Sequence, residues 1–383
     1  MMALDQETFQ QLLDTVSRFV TERLIPNEDR MEAEDRVPPD VLSEMKEVGL
    51  FSLTIPEEYG GLGLGMEEEA LVLMEVGRAS CAFRSAFATT IGIGSQGLVM
   101  DGTEAQRQRY LPRLASGEII GSFCLTEPNV GSDSASVRTR AVRDGDCYVI
   151  NGTKRFITNA PEAGLFTVFA RTGGEGAAGI SAFLVDASTP GLSLGKIDKK
   201  MGQKGSHTCD VIFDDCRVPK EALLGGEENK GFKTAMKVLD RGRLHIAAAC
   251  VGTAERLIAD SLNYAMSRKQ FGKAIAEFQL VQAMLADSRM ETYAARCMVL
   301  DSAKRRDAGE NVTTLASCSK LFSTEMLGRV ADRAVQIHGG SGYIADFKVE
   351  RFYRDVRLFR LYEGTSQIQQ IIIAKNMMKE AAH

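Results

Sequence analysis

The sequence has few of the features that mark secreted, membrane-embedded or metal-binding proteins. Its 8 cysteines and 4 histidines are scattered along 383 residues, and no Cys-x-x-Cys pair or close histidine set suggests a disulfide framework or a zinc site. No apolar run reaches the length of about 18 residues that a membrane span needs. The start of the chain, MMALDQETFQ, has no apolar signal core. We therefore expect a cytoplasmic protein with reduced thiols; the mature form of an organelle-matrix protein is the alternative.

An excess of basic charge is also missing. Lysine and arginine total 46 against 51 aspartates and glutamates, which gives a net charge of −5. A dedicated nucleic-acid binder would show a basic domain or stripe, so the composition argues against that class. A small anionic ligand remains compatible with the charge, because a local basic patch can lie on an acidic protein.

Proline is absent after Pro219, which favours long helices in the second half of the chain. Apolar residues recur there at helical spacing: Met290, Tyr293, Ala294, Cys297 and Met298. The same spacing from Phe9 to Val20 predicts a first helix that Pro26 ends. Residues 67–115 are also predicted to be mainly helical.

Strand patterns are confined to the middle of the chain, from about residue 121 to 220. Short β-branched and aromatic runs alternate there with turn signals. Asp144-Gly145 and Asn151-Gly152 are predicted turns on either side of CYVI, and GGEGAAG (173–179) is predicted to be an exposed loop between two strands. The pattern predicts a mainly α protein with a central β domain. We place helical, β and helical domains at residues 1–120, 121–228 and 229–383.

One glycine motif is misleading. Gly92, Gly94 and Gly97 spell G-x-G-x-x-G, the dinucleotide fingerprint. That motif works only between a strand and a helix, where the pyrophosphate meets the helix N-terminus. The preceding CAFRSAFATTI does not have the pattern of a buried strand. We interpret the glycines as small residues that let helices pack closely.

Two loops have compositions that favour ligand binding. FCLTEPNVGSD (123–133) begins as a strand and breaks into a loop with hydroxyls and exposed backbone N–H groups. VQIHGGSGY (335–343) is predicted to be a helix end that runs into a glycine turn, a backbone that suits a phosphate. A surface turn and an ordinary helix C-cap are the alternatives that involve no ligand.

A third segment, LYEGTSQIQ (361–369), contains a candidate general base. Thr365 and Ser366 can cap the helix that follows. Glu363 lies after an apolar approach (Leu358, Phe359, Leu361 and Tyr362), and such surroundings raise the pKa of a carboxyl group towards that of a general base. The alternative is an acid that the helix dipole favours at a helix start.

Six segments together resemble signatures of the acyl-CoA dehydrogenase family of flavoproteins, in the family's order and over nearly the whole chain. They are IPEEYGGLG (55–63), FCLTEPNVGSD (123–133), NGTKRFITNA (151–160), SRKQFGKAIAEFQLVQ (267–282), QIHGGSGY (336–343) and RLYEGTSQIQ (360–369). The resemblance implies the acyl-CoA dehydrogenase fold, with a helical N-terminal domain, a β-barrel-like middle domain and a C-terminal four-helix bundle. It also implies a homotetramer, a dimer of dimers, with one FAD per subunit.

The resemblance assigns FAD contacts to several groups of residues. Those matching positions around the flavin ring are Phe123, Leu125, Thr126, Ser132, Phe156, Ile157 and Thr158, with Thr158 near flavin N5. In the family, a second group of residues holds the FAD of a neighbouring subunit. The positions of this chain that match that group are Arg268, Phe271, Gln279, Gln336, Gly339 and Gly340. Thr365 and Gln367 match further FAD contacts.

The resemblance also implies the chemistry. Glu363 matches the base that removes the α-proton of a saturated acyl-CoA while the β-hydrogen leaves as hydride to flavin N5. Its backbone N–H and a ribityl hydroxyl would polarise the thioester carbonyl. Asp240 and Arg243 match positions beside the CoA pantetheine, and the remaining residues assigned to the substrate are Ser132, Tyr362 and Gly364.

Two departures from the family pattern narrow the resemblance. Phe156 replaces the tryptophan of many relatives, and the chain contains no tryptophan; an aromatic face over the flavin survives. Gly242 occupies the position where some relatives carry the base, so the base must be Glu363. This arrangement resembles the short-, medium- and short-branched-chain members.

The resemblance implies electron-transferring flavoprotein as the partner that accepts the electrons. An acyl-CoA oxidase or another oxygen-using flavoenzyme of the same fold is the alternative within enzymes. A non-catalytic flavoprotein is disfavoured by the presence of Glu363, the flavin loop and Arg243 together.

Overall fold

The computed structural model describes residues 4–382, and these form helices at both ends of the chain with strands between them. The first helices are α1 (Gln6–Phe19), α2 (Glu28–Glu34), α3 (Pro39–Glu47), α4 (Met66–Val76), α5 (Cys81–Thr89), α6 (Gln96–Asp101) and α7 (Glu104–Ala115). The strands are β1 (Gly121–Cys124), β2 (Arg140–Asp144), β3 (Cys147–Thr158), β4 (Leu165–Arg171), β5 (Ile180–Asp186), β6 (Leu192–Leu194) and β7 (Thr208–Pro219), with a small hairpin of β8 (Lys269–Gln270) and β9 (Lys273–Ala274). The later helices are α8 (Gly231–Ser267), α9 (Gln279–Asp307), α10 (Thr313–His338), α11 (Val349–Val356) and α12 (Ser366–Ala381). The predicted mainly α architecture with a central β domain is confirmed.

The first helical segment differs from its prediction at Pro26. α1 buries Phe9, Val16 and Phe19, as the apolar spacing predicts. The chain then continues through a π-helical turn, Val20–Leu24, and a 3₁₀ turn, Ile25–Asn27, into α2. Pro26 lies in the first turn of the 3₁₀ segment, where a missing N–H costs little. The prediction that Pro26 ends the helical path was therefore wrong.

The glycine motif lies in helix, as the interpretation of close packing requires. Gly92 and Gly94 belong to a π-helical turn, Thr90–Gly94, which follows α5 directly, and Gly97 lies in α6. No strand precedes the motif in the described chain. A Cβ on Gly94 would lie 2.8 Å from the carbonyl oxygen of Gly121, so this glycine lets the turn pack on β1.

The strands β1 to β7 form a curled, mostly antiparallel sheet in the described residues, in the order β1-β4-β2-β3-β7-β6, with β5 paired to β4. The turn predicted at Asp144-Gly145 is present: it joins β2 to β3, and Gly145 has φ 63°. The turn predicted at Asn151-Gly152 is absent, because β3 runs through it with a bulge opposite β7. Gly152, with φ 149° and no side chain, accommodates the bulge against Thr139.

The helices of the two ends share one apolar core, in which α8 packs against α4, α9 and α10. A Cβ on Gly252 would lie 1.9 Å from the Met74 carbonyl oxygen, so this glycine allows the backbones of α8 and α4 to touch. α9 confirms the predicted helix, but its apolar stripe is not the core face. Met290 and Tyr293 are 62% and 67% exposed, while Ala295 and Val299 are buried.

A buried ion pair ties the loop after β1 to β3. Lys154 Nζ lies 2.8 Å from Glu127 Oε1 and donates to the Leu125 carbonyl, and both side chains are buried. Glu127 also accepts the backbone N–H groups of Arg138 and Thr139. Burial lowers the pKa of Lys154. Burial alone would raise the pKa of Glu127, but the Lys154 charge and these donors hold it below its ordinary value.

Replacing Lys154 with methionine is expected to destabilise the fold strongly, because Glu127 would keep a buried charge without a counter-ion. Loss of one partner from such a pair costs about 3–5 kcal/mol in the free energy of unfolding. Urea unfolding of the FAD-loaded protein measures the change. The exposed pair of Lys220 with Asp146 gives the matched control, and Lys220→Met should change the unfolding midpoint little. Equal losses in the two variants would contradict the prediction.

Candidate active site

Glu363 lies in a tight turn between a 3₁₀ segment, Arg357–Arg360, and α12. Both Glu363 and the next residue, Gly364, have left-handed backbone conformations, with φ 52° and φ 89°. Thr365 then caps α12 by accepting the backbone N–H of Ile368, as predicted. A non-glycine residue adopts φ 52° at an energetic cost, so the surrounding contacts must hold Glu363 in place.

The Glu363 carboxyl group is directed at α8. Its Oε2 atom is buried and has no hydrogen-bond partner in residues 4–382. A Cβ on Gly242 would lie only 2.2 Å from that oxygen. The absence of a side chain on Gly242 therefore makes the space that the carboxyl group occupies.

Basic side chains act on the Glu363 carboxyl group, whereas the sequence predicts apolar surroundings for it. Phe359 is buried, but Leu361 is 49% exposed. Burial raises the pKa of Glu363, in the predicted direction. Four basic side chains partly oppose the rise: His245, Arg84, Lys320 and Arg243.

Three of these basic residues were missed from the sequence. Arg84 donates to the Tyr362 hydroxyl at 3.1 Å and lies 3.4 Å from His245 Nε2. On the other side of its ring, His245 Nδ1 lies 2.7 Å from Glu69 Oε1. Two of them could have been found as single basic residues within helical segments of small and apolar residues. They are Arg84 in CAFRSAFAT and Lys320 in LASCSKLFS.

The residues assigned to the substrate lie mainly around Glu363. Arg243, on α8, is buried and pairs with Asp240, and its Nε has no partner in residues 4–382. Burial lowers the pKa of Arg243, and the charges of Asp240 and Glu363 oppose this. Tyr362 and Gly364 flank the carboxylate in the chain. Ser132 is exposed on the loop after β1.

The residues assigned to the flavin ring come together at the ends of β1 and β3. The Ser122 hydroxyl donates to the Thr158 carbonyl at 2.8 Å, and the Arg155 N–H donates to the Thr126 carbonyl at 2.8 Å. Ile157 and Leu125 are buried, and Phe123 packs on Phe169. The hydroxyls of Thr126 and Thr158 are unpaired in the described chain, so they are available to the polar edge of a flavin.

Phe156 is turned away from the sheet. It has φ 58° and lies in a second bulge of β3, between Lys154 and Ile157. A bulge redirects a side chain, and the Phe156 ring is 62% exposed. The aromatic face expected here is therefore free of the protein's own core.

The residues assigned to a neighbouring subunit's FAD lie exposed near one end of the bundle. Arg268 is the C-cap residue of α8, and Gln279 is the first residue of α9. Phe271 lies at the turn of the hairpin between them and is 93% exposed. At the end of α10, the chain turns sharply at Gly339 (φ 59°). Tyr264, on α8, stacks on His338, and its hydroxyl donates a hydrogen bond to the Ser341 hydroxyl. These contacts hold the glycine turn after α10 against the end of α8 that leads to Arg268.

This exposed surface carries a positive charge that no carboxylate of the described chain neutralises. Arg268 makes no ion pair with any residue from 4 to 382. A Cβ on Gly340 would meet nothing within 4 Å, so the chain itself does not need a glycine there. Gln336, Thr365 and Gln367 are the remaining assigned residues; Gln336 and Gln367 are exposed, and Thr365 is half-buried.

Comparison with known proteins identifies the family. Models of the N-terminal, middle and C-terminal domains of acyl-CoA dehydrogenase match residues 6–118, 122–216 and 229–378. The chain belongs to the acyl-CoA dehydrogenase family. It is 42% identical to the probable acyl-CoA dehydrogenase YngJ of Bacillus subtilis (strain 168), over 97% of this chain and 98% of that protein. The protein is therefore an oxidoreductase.

Two other relatives have names that state an activity or an assembly. The acryloyl-CoA reductase (NADH) of Anaerotignum propionicum is 41% identical, over 97% of this chain and 94% of that protein. Subunit CarC of the caffeyl-CoA reductase-Etf complex of Acetobacterium woodii is also 41% identical, over 92% of this chain and 93% of that protein.

Solved structures agree with the family and with the cofactor. Butyryl-CoA dehydrogenase from Megasphaera elsdenii has a TM-score of 0.93 at 34% identity, over 97% of this chain and 98% of that one. A chain in a structure of the electron-transferring flavoprotein of Acidaminococcus fermentans has a TM-score of 0.94 at 37% identity, over 98% of both chains. The acyl-CoA dehydrogenase of Bacillus anthracis, complexed with FAD, has a TM-score of 0.92 at 35% identity, over 99% of this chain and 68% of that one. FAD is therefore also the cofactor of the protein described here.

The described residues offer neither a metal site nor a membrane span. In residues 4–382, no group of three or more histidine, cysteine or acidic side chains could hold a metal ion. Across the same residues, no helix combines the length and apolar composition that crossing a membrane requires.

Proposed function

We propose that the protein dehydrogenates a saturated acyl-CoA to the trans-2-enoyl-CoA, with Glu363 as the base that removes the α-proton. One observation carries the proposal: a buried carboxylate oxygen without a partner in residues 4–382 occupies the space left by Gly242. A raised pKa makes such a carboxylate a stronger base than an exposed one. The free energy cost of leaving this oxygen unpaired is reasonable at a site that a substrate completes.

The turn itself would hold the thioester. The backbone N–H of Glu363 donates to no group in residues 4–382, so it is available to the thioester carbonyl, and polarising that carbonyl acidifies the α-carbon. Arg243, Asp240, Tyr362 and Gly364 would bind the adjoining part of the substrate. FAD, when bound beside Thr126 and Thr158, supplies the hydride acceptor.

The decisive experiment is an anaerobic titration of the FAD-loaded protein with saturated acyl-CoAs of different length and branching. Bleaching of the oxidised flavin, with formation of an enoyl-CoA, supports the proposal and identifies the substrate. Because relatives include reductases, the chemically reduced protein should also receive the matching enoyl-CoA. Failure of every thioester to change the flavin in either direction would overturn the proposal.

Electron-transferring flavoprotein is the proposed electron acceptor. Two relatives support it, since one is a subunit of an Etf complex and another comes from a structure of that flavoprotein. The substrate-reduced protein should be reoxidised quickly by oxidised electron-transferring flavoprotein and slowly by air. Fast reaction with air, stoichiometric peroxide and no transfer to the flavoprotein would establish the oxidase alternative instead.

We also propose a homotetramer, in which neighbouring subunits complete each FAD site. Support comes from the large exposed apolar side chains of the hairpin and α9, such as Phe271 and Leu280 at 93% and 82% exposure, because burying such side chains between subunits is favourable. The domain boundaries at residues 120 and 228 and the cytoplasmic location stay predictions.

Arg268→Ala is expected to weaken FAD binding, because a charge-assisted contact to the pyrophosphate is lost. The FAD dissociation constant, measured by fluorescence on dilution, gives the result. Lys269, the exposed next residue, offers the control, and Lys269→Ala should retain FAD. An unaltered protein that sediments as a monomer and still binds FAD tightly would contradict the tetramer. An Arg268→Ala variant with an unchanged FAD dissociation constant would contradict the role of Arg268.

A further inference from the structure

Lys320 is a fully buried cation beneath the turn that carries Glu363. It lies on α10, has no exposed surface, and its Nζ donates to the Gly364 carbonyl at 2.7 Å. No carboxylate in residues 4–382 forms an ion pair with it. A buried ammonium is costly without strong compensation, and burial lowers the pKa of Lys320 to about 8. A cation kept in such a place needs a reason beyond packing.

The contact that Lys320 makes is with the most constrained backbone of the site. Glu363 and Gly364 are consecutive residues with positive φ. Such a conformation persists only when the surrounding groups hold it. Gln369 donates to the carbonyls of both residues, at 3.3 Å and 3.0 Å, and Lys320 donates to the second.

Lys320 and Gln369 bond only the carbonyl groups of the turn and leave the other polar groups of Glu363 free to contact a substrate. The carbonyl oxygens of Glu363 and Gly364 are occupied by Lys320 and Gln369. The Oε2 atom and the backbone N–H of Glu363 have no partner in the described chain. A shift of the Gly364 carbonyl would move both of these groups, since they belong to the preceding residue.

We propose that Lys320 is a positioning residue, which holds the Gly364 carbonyl and thereby keeps the Glu363 carboxylate and backbone N–H aligned for proton removal. The inference rests on the proposed function of Glu363. Lys320 touches neither substrate nor cofactor in this role. A displacement of about 1 Å at a reacting group can cost about 100-fold in rate, so losing this anchor should affect turnover more than binding.

The test compares Lys320→Met with Thr324→Val in the FAD-loaded protein. Thr324 lies one turn further along α10, is buried, and its hydroxyl bonds only within that helix. Lys320→Met should lower the rate constant of flavin reduction by about 10- to 100-fold, with KM and FAD content little changed. Thr324→Val should match the unaltered protein.

A spectroscopic readout separates positioning from general loosening of the fold. Acetoacetyl-CoA, an enolisable thioester, should give a long-wavelength charge-transfer band with the oxidised flavin when its carbonyl is polarised and its proton removed. That band should weaken in Lys320→Met and persist in Thr324→Val, and Lys320→Gln, which keeps a donor, should recover part of it. If Lys320→Met does not fold, Gln369→Leu, which removes the other donor, should show the same signature.

Each remaining outcome has one interpretation. A folded, FAD-loaded Lys320→Met with normal reduction rate and normal band overturns the inference. The inference is also overturned if the reduction rate of Lys320→Met falls only in proportion to its loss of FAD. It is overturned likewise if Thr324→Val loses as much rate as Lys320→Met. If the unaltered protein itself fails to reduce its flavin with any acyl-CoA, the proposed function fails, and that result is distinct from failure of the Lys320 inference.

Discussion

Replacing Glu363 with glutamine is expected to remove flavin reduction by acyl-CoA while the fold and FAD remain. Glutamine has nearly the same shape but cannot accept the α-proton, and loss of a positioned general base costs about 10²- to 10⁴-fold in rate. Stopped-flow reduction under anaerobic conditions measures the effect. Glu350, an acid on α11 that pairs with Arg354, offers the control, and Glu350→Gln should react at the unaltered rate.

The pH dependence of the same reaction gives a second check on Glu363. A base must be ionised to act, and the pKa of Glu363 is raised by burial and only partly lowered again by its basic neighbours. The reduction rate should therefore fall as the pH decreases through a pKa above that of an ordinary carboxyl group. A Glu363→Gln variant that reduces its flavin at the unaltered rate would exclude Glu363 as the base.

Gly242→Ala is expected to lower the rate by about 100-fold without unfolding the protein. The added Cβ would lie 2.2 Å from Glu363 Oε2, so the carboxylate must move, and a small misplacement is enough for such a loss. Alanine favours a helix over glycine by about 1 kcal/mol, so the thermal midpoint should not drop. Stopped-flow reduction and a thermal melt of the FAD-loaded protein measure both effects.

Two further variants make the Gly242 result specific. In the Glu363→Gln background, Gly242→Ala should add little, because two changes that act on one group are not additive. Gly252→Ala, on the same helix, should instead destabilise the fold, because its Cβ would meet the Met74 carbonyl oxygen at 1.9 Å. A folded Gly242→Ala protein with an unaltered reduction rate would show that the carboxylate does not need this space.

Helix and strand locations were largely predictable, because they depend on local patterns. Proline distribution and apolar spacing predicted helices after Pro219, and β-branched and aromatic runs with turn signals predicted strands from about residue 121 to 220. The errors arose where tertiary contacts override a local signal. Pro26 lies in a 3₁₀ turn that continues the helical path. Asn151-Gly152 lies within β3, because that strand pairs with β7 on both sides of the dipeptide.

The site was predictable only in part. Glu363 was singled out because its segment, LYEGTSQIQ, resembles a family signature, and its role as the base stays a prediction. Arg84, His245 and Lys320 were missed, because each reaches Glu363 from a distant helix and none belongs to a motif. Their effect on the carboxyl pKa depends on distance and burial, and neither quantity can be obtained from chain order.

The sequence by itself determined the order of helical, β and helical segments and the family, since both rest on residue type and spacing along the chain. Only the tertiary structure decided which face of α9 is buried. Its apolar stripe at Met290 and Tyr293 lies exposed, while the small residues Ala295 and Val299 pack inside. Only the tertiary structure also placed Gly242 against Glu363, where a Cβ would lie 2.2 Å from Oε2, because that contact depends on how α8 meets the turn before α12, which hydrophobic periodicity does not specify.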